Sequence, residues 1–516
     1  MGAGAMSRYG IALDHEDGEL EVAKLSHDEL EAYATKSGAS PPVIDVLRVR
    51  KLDGQAALAA SVDDDAPDAT RVQLAGALSR LRCLEATNSV ALAATPDLAV
   101  RENERADAAA EAAGLATLDE LRGAADAACA EVGEYLAREA DVLFLLTGAG
   151  FSADGGLAVY ADVAKVPAYA KRDLEYSELC EPDWLEKEPD LFWGFWGACF
   201  NDYRGTEPHS GYDVLASWRR KRFAASDVAD ELRALQGPVA DATTGPYAVA
   251  RRAGGFFCFT SNVDAHSYDR FPACEIRDCH GNVEVYQCAA QCDAHPRLWR
   301  APREWRFRVD LETMLARPGV VDGDAAAPER AATGGAPAVG RVAGAKRTEA
   351  LSLMPAEASP PDGARTFPPA AYPACVGCGG SARPAILMFG DCAWEDQVDQ
   401  EHRCDAWIGA VEALATQRAT TGDVPLRIAV LEIGAGVRVT TIRRQAERCA
   451  SDFAEAGADV RLIRVNPDFP LADNVLALKE RNVRVISVCA KGRDALAKMD
   501  AAFAPWHDRR SSRVVS

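Results

Sequence analysis

The chain is predicted to adopt an α/β fold built on a mainly parallel sheet flanked by helices, and three observations predict it. Short apolar runs recur between helical patterns from Val142 onward. The runs are too continuous for strands with one wet face, as expected where helices cover a parallel sheet on both sides. All but the last end in Gly, Ser or Asn, the small residues that let a ligand approach the carboxyl ends of such strands.

In chain order the runs are Val142–Thr147 before Gly148-Ala149-Gly150, Phe256–Thr260 before Ser261-Asn262, and Ile386–Phe389 before Gly390. Ile428–Ile433 precedes Gly434-Ala435-Gly436, Val460–Val465 precedes Asn466-Pro467, and Val483–Val488 precedes Cys489. Residues 1–130 are rich in Ala, Asp and Glu, with helical texture over Leu20–Thr35 and Ala108–Ala130. They are expected to be a helical or partly disordered extension. The sheet is interrupted twice. Residues 160 to about 250 are aromatic-rich and helix-like, and 276–384 hold paired cysteines. Within the second stretch, about Gly319 to Pro369 is dominated by Ala, Gly and Pro and is expected to be a disordered insertion. The main folded unit is expected over 131–505, with a C-terminal tail from 506 to 516.

Composition narrows the function classes. The chain has 516 residues, 48% apolar and 26% charged, which is ordinary for a globular protein and excludes wholesale disorder or collagen. Its net charge is −21, from 57 basic and 78 acidic residues. Direct nucleic-acid binding is not expected, and a cationic lysine-bearing partner is favoured. No run of 18 or more uncharged apolar residues predicts a membrane span, and neither a signal peptide nor a myristoylation pattern is read, so no membrane association is expected. Fifteen cysteines without a secretory pattern point to reduced thiols in cytoplasm or nucleus.

Four of those cysteines are closely paired: Cys288 with Cys292 as C-x3-C, and Cys375 with Cys378 as C-x2-C. Two such pairs suit a closed, structural four-thiolate zinc site, and unligated thiols are the competing reading. Gly148-Ala149-Gly150-Phe151-Ser152 places a glycine turn after a buried strand, which can present backbone N–H groups to a pyrophosphate or be only a tight turn. His280 alone reads as structural.

Together these segments resemble the sirtuins, the NAD-dependent protein deacylases. The family signature G-A-G-x-S-x-x-S-G-I-P-D-F-R corresponds to Gly148–Ala161. T-Q-N-I-D corresponds to Thr260-Ser261-Asn262-Val263-Asp264, and the H-G pair to His280-Gly281. The string C-x-x-C-G-G, then R-P and F-G-E, corresponds to Cys375–Gly380, Arg383-Pro384 and Phe389-Gly390-Asp391. Gly434-Ala435-Gly436 stands for G-T-S, and Val465-Asn466 for I-N. All six occur in family order between about 131 and 500.

The resemblance implies a Rossmann-like domain with an inserted small domain, made of a helical module and a zinc ribbon. It implies NAD as co-substrate, one structural zinc, and an acyl-lysine protein or peptide as substrate. The products are nicotinamide, deacylated lysine and O-acyl-ADP-ribose. His280 takes the place of the general base on a ribose hydroxyl, which suits an imidazole. Asn262 would hold water and ribose, and Asp264 the nicotinamide carboxamide. The remaining NAD contacts would come from Gly148, Ala149, Gly150, Ser152, Tyr160, Ser261, Val263, Gly434, Ala435, Asn466 and Cys489. The chain departs from the family at P-D-F-R, which reads Ala158-Val159-Tyr160-Ala161 and lacks the Arg that engages NAD. This pattern looks like a divergent bacterial-type branch. Protein mono-ADP-ribosylation and a catalytically weak NAD-binding scaffold stay open beside deacylation.

Overall fold

The computed structural model describes residues 116–157, 166–174, 176–238, 245–247, 249, 251–303, 305–322, 371–437 and 439–514. Contacts divide the chain into two units. One holds Met1–Ala99, Phe389–Cys392 and Arg438–Thr440, and the other Val100–Met388, Ala393–Val437 and Thr441–Ser516. Every element below belongs to the second unit. The predicted extension up to 115, Tyr160 with its neighbours, and residues 323–370 of the predicted insertion lie outside the described residues.

Helix α1 (Leu118–Arg138) opens with Thr117 and Glu120 in a capping box, the Thr117 N–H donating to Glu120 Oε2 at 2.9 Å. Ala125 and Cys129 in this helix are buried, so packing already includes residues before the expected boundary at 131. Strand β1 (Val142–Thr147) and the short helix α2 (Ala149–Ala153) follow, and alternate residues of the strand go to opposite faces. Leu143 and Leu145 join one core with Tyr135, Trp218 and Met499. Val142, Phe144 and Leu146 join the other, with Trp407, Leu414 and Phe453. That double burial is why the run contains no polar residue before Thr147.

Strands β2 (Phe256–Thr260) and β3 (Ile276–Asp278) extend the sheet on one side of β1. On the other side lie β9 (Arg427–Ile433), β10 (Asp459–Val465) and β11 (Arg484–Val488). All pairings are parallel. The order β3-β2-β1-β9-β10-β11 is doubly wound, with the first strand in the middle. The switch point falls between β1 and β9.

The run Ile386–Phe389 does not join this sheet. Strand β8 (Ala382–Ile386) instead pairs antiparallel with β4 (Gly281–Cys288), which also pairs with β5 (Leu298–Arg300). Pro384 cannot donate to a ladder, so β8 suits an edge and not the middle of a sheet. Strand β3, three residues including Arg277 and Asp278, has no apolar run to announce it.

The helix-like stretch over 160–250 is divided between two places. Helix α3 (Pro189–Gly205) packs on a hairpin of β6 (Trp305–Asp310) and β7 (Leu315–Asp322). Trp193 stacks on Phe307 with ring centroids 5.1 Å apart. A Cβ on Gly194 would sit 2.0 Å from the Met314 carbonyl oxygen, so the helix meets the hairpin backbone to backbone. Helices α4 (Ser210–Trp218) and α5 (Asp227–Leu235) pack into the sheet cores instead, through Tyr212, Leu215 and Trp218 on one face and Leu232 on the other. Strand β7 reaches Asp322, so the first residues of the predicted insertion are paired.

Helices α6 (Val398–Thr421), α7 (Thr441–Glu455) and α8 (Val475–Glu480) cover the second face of the sheet. Helix α9 (Gly492–Val514) runs on through the tail boundary set at 506 and packs on α1. Among the described residues, no helix is long and apolar enough to cross a membrane.

Candidate functional site

The strand register builds the site. Asp278, Thr260, Thr147, Ile433, Val465 and Val488 are successive partners, so the six strands end in one row. The next residues are Cys279-His280, Ser261-Asn262, Gly148, Gly434, Asn466 and Cys489. One edge of one sheet thus gathers segments about 340 residues apart in sequence.

At the switch point two glycine turns touch. Gly148 N–H donates to Ile433 O at 3.0 Å, and Gly150 N–H to Gly434 O at 2.9 Å. A Cβ on Gly434, whose φ is +69°, would lie 2.2 Å from the Phe151 nitrogen. The glycines serve this contact first, and the N–H groups of 148 and 150 are spent on it rather than offered to a phosphate. Ala149 sits between them on the rim, and Ala435 is buried below.

Asn466 is likewise engaged. Its amide donates to Ala435 O at 2.9 Å, and its Oδ1 accepts from the N–H groups of Asp468 and Phe469. Cys489 Sγ donates to Pro467 O at 3.2 Å. Both shape the rim of the crevice through the loop after β10.

Beyond β2 the polar groups converge. Ser261 N–H donates to Thr147 O at 3.1 Å, and Asn262 N–H to Thr260 Oγ1 at 3.0 Å, which fixes the turn. Ser152 Oγ donates to Asp264 Oδ2 and accepts from Asn262 Nδ2 at 2.9 Å. Asp264 Oδ1 accepts the His266 N–H at 2.8 Å. Ser152, Asn262 and Asp264 are all buried, and among the described residues Asn262 Oδ1 has no partner. His209 donates from Nε2 to Phe151 O at 2.7 Å while its Nδ1 accepts the Gly211 N–H, and this holds the helix that carries Ser152.

His280 is brought alongside by two backbone bonds, Cys279 N–H to Thr260 O and Val283 N–H to Val263 O, each 2.9 Å. They zip the segment 279–283 to the loop 260–263. Burial, with Arg277 acting in the same direction, lowers the His280 pKa to about 4, and among the described residues its Nε2 has no partner. The imidazole is therefore neutral and available as a base at pH 7. Gly281 follows with φ +70°, and a Cβ there would lie 1.9 Å from Ala385 O. Beneath it, burial raises the Asp278 pKa to about 6, and Gln397 Nε2 donates to this carboxyl at 3.0 Å.

The four paired cysteines meet, their sulfurs all within 4.8 Å of one another. Cys288 to Cys378 and Cys292 to Cys375 are each 3.7 Å, too long for a disulfide. The edge of a tetrahedron of ~2.3 Å zinc–sulfur bonds is about 3.8 Å, so the set fits zinc. Gly377 and Gly380 N–H groups point at Cys375 and Cys378 sulfurs, each at 3.4 Å. Cys288 ends the strand that begins at Gly281, so the zinc site and His280 sit at opposite ends of β4.

Sequence reading missed Asp278, Arg204 and Glu284, which brace this edge. None stands in a motif, and apart from Asn282 beside Asp278 their side-chain partners are 16 or more residues away, so spacing carries no signal for them.

No protein-family model matches the chain. Two curated relatives, both named NAD-dependent protein deacylase, match parts of it. One, from Deinococcus radiodurans, is 32% identical over 97 residues, 18% of this chain and 38% of the relative. The other, from Caulobacter vibrioides, is 28% identical over 152 residues, 30% of this chain and 50% of the relative. The chain thus spans half or less of the length of the curated relatives it matches. Among solved structures, the complex of a Sir2 homologue with NAD is similar over 73% of this chain and 94% of that one, at 16% identity and a TM-score of 0.37. A Sir2 bound to acetylated peptide is similar over 71% and 95%, at 13% identity and a TM-score of 0.36. At such scores these two likenesses add nothing to the sequence matches.

Proposed function

We propose that this chain, a divergent member of the sirtuin family by its ordered motifs and its two deacylase relatives, removes acyl groups from protein lysine at the expense of NAD. The observation that carries the reading is the single register row. It sets His280 and Asn262, each with a buried polar atom lacking a partner among the described residues, beside the Ser152–Asp264 pair at the mouth of a doubly wound sheet. Buried polar atoms without partners are costly unless a ligand or water meets them.

NAD, when bound, supplies a ribose carbon that the acyl oxygen attacks and nicotinamide as the leaving group. His280 Nε2 takes a proton from a ribose hydroxyl. Asn262 Oδ1 accepts a hydrogen bond from that hydroxyl or from the attacking water. Asp264, oriented by Ser152 and the His266 N–H, receives the nicotinamide amide. The rim of Gly148, Ala149, Gly150, Gly434, Asn466 and Cys489, with Ala435 beneath it, faces the ADP half, with Ser261 and Val263 contributing backbone. Tyr160 is proposed over the nicotinamide pocket by family position alone. Zinc at Cys288, Cys292, Cys375 and Cys378 is structural and holds β4 at its far end. The products proposed are nicotinamide, free lysine and O-acyl-ADP-ribose, and short apolar acyl chains such as acetyl are favoured.

The test is a mass-resolved assay of acyl-peptides with NAD. Nicotinamide, free lysine and acyl-ADP-ribose in equal amounts support deacylation. A peptide heavier by ADP-ribose would make the chain a transferase of that group, and NAD binding without turnover would make it a scaffold.

A further inference from the structure

Asp264 sits in a turn that the backbone does not favour. The next residue, Ala265, has φ +62°, a left-handed conformation costly for any residue with a Cβ, and it is buried. Such a turn persists only where its surroundings hold it. One side chain does so from a distant element. Arg204, in the last turn of α3 and 5% exposed, donates from Nη2 to the main-chain oxygen of Asp264. Its Nη1 pairs with Glu284 Oε1 at 2.6 Å, and Glu284, in the middle of β4, is fully buried. Glu284 is itself braced by Arg300 Nη2 at 2.9 Å and Arg303 Nε at 2.6 Å. Arg303 also reaches Asp269, which lies 3.7 Å from Arg204.

The chain of contacts is continuous. Strand β4 runs from Gly281, the neighbour of His280, to the zinc ligand Cys288, Glu284 stands between them, and Arg204 transmits its position to the Asp264 carbonyl. A guanidinium can serve a carboxylate and a carbonyl at once because its N–H groups form a rigid planar fork. A lysine ammonium is a point charge and serves the two less well.

We infer that Arg204, braced by Glu284, is a positioning residue that fixes the Asp264–Ala265 turn against the strand that follows His280. Its bearing on NAD rests on the function proposed above, whereas its hold on the turn does not. Removing Arg204 leaves Glu284 paired with Arg300 and Arg303, so the buried carboxylate is not orphaned and the fold should survive.

The test compares the zinc-loaded full chain with Arg204→Met and Arg204→Lys. Hydrogen exchange at residues 261–266 is read without ligand, together with thermal unfolding and NAD affinity by calorimetry. In Arg204→Met, exchange at 261–266 is expected to quicken at least tenfold with unfolding nearly unchanged. NAD affinity should fall by about 10- to 100-fold, the worth of one charge-assisted hydrogen bond. Arg204→Lys should recover part of both and carries the comparison if the Met variant does not fold. A folded variant with wild-type exchange at 261–266 overturns the inference. If the wild-type chain itself binds no NAD, the proposed function fails, and the exchange result alone decides the positioning role.

Discussion

Replacing Gly281 by Ala tests whether close backbone packing beside His280 holds the site. Two costs act together at this position. The φ of +70° is left-handed, which costs a residue with a Cβ about 1–2 kcal/mol. The new Cβ would also lie 1.9 Å from Ala385 O, a backbone atom of the paired strand that cannot swing aside. Relieving the clash forces β4 and β8 apart, at about 1–3 kcal/mol for overpacking. It also strains the bond from Leu387 N–H to His280 O, now 2.9 Å, worth about 1 kcal/mol.

Gly422 is the matched control. It follows α6 with φ +74°, and a Cβ added there would meet nothing within 4 Å, so Gly422→Ala meets only the first cost. Both variants are assayed by denaturant unfolding and by nicotinamide release with an acyl-peptide. Gly422→Ala should lose roughly 1–2 kcal/mol and keep its turnover. Gly281→Ala should lose roughly 2–6 kcal/mol, with turnover falling further because His280 moves with the strand. Equal losses in the two variants would refute the claim that close approach, and not backbone conformation alone, requires glycine at 281.

Three further outcomes are expected. His280→Ala should abolish turnover while calorimetry still records NAD binding. In the wild type, the acid limb of kcat/KM should fall near pH 4 and not near 6.5, because a base whose pKa is lowered stays unprotonated until the pH approaches that lower value. The purified chain should carry about one zinc by metal analysis, and changing Cys375 and Cys378 together to Ser should remove it and lower the melting temperature. Ala265→Gly should hold or raise stability by up to about 1 kcal/mol in denaturant unfolding, because it removes the Cβ from a left-handed position. A clear loss would mean that the methyl group's packing outweighs its backbone strain.

Much of the sheet was legible because a strand buried on both faces must be apolar throughout. Val142–Thr147 and Phe256–Thr260 begin and end where the runs do. Strand β3 was not legible, since three residues with two charges make no pattern, and Arg277 and Asp278 find their partners on the segment from 396 to 400. Ile386–Phe389 misled because an apolar run states that residues are buried and not which sheet buries them.

The same division holds at the site. Local chemistry along the chain determined which residue types stand after each strand and which thiols pair, since turns and metal ligands depend on neighbours a few residues apart. Tertiary structure decided what they do together. The parallel register levels six strand ends into one row, so Ser152 meets Asp264 and two glycine turns interlock. It also divides the side chain of Asn466 between Ala435 and its own loop and sets Arg204 against a turn 60 residues away. Hydrogen bonds and ion pairs are contacts of a few ångströms in space, and chain distance carries no record of them until packing brings the partners together.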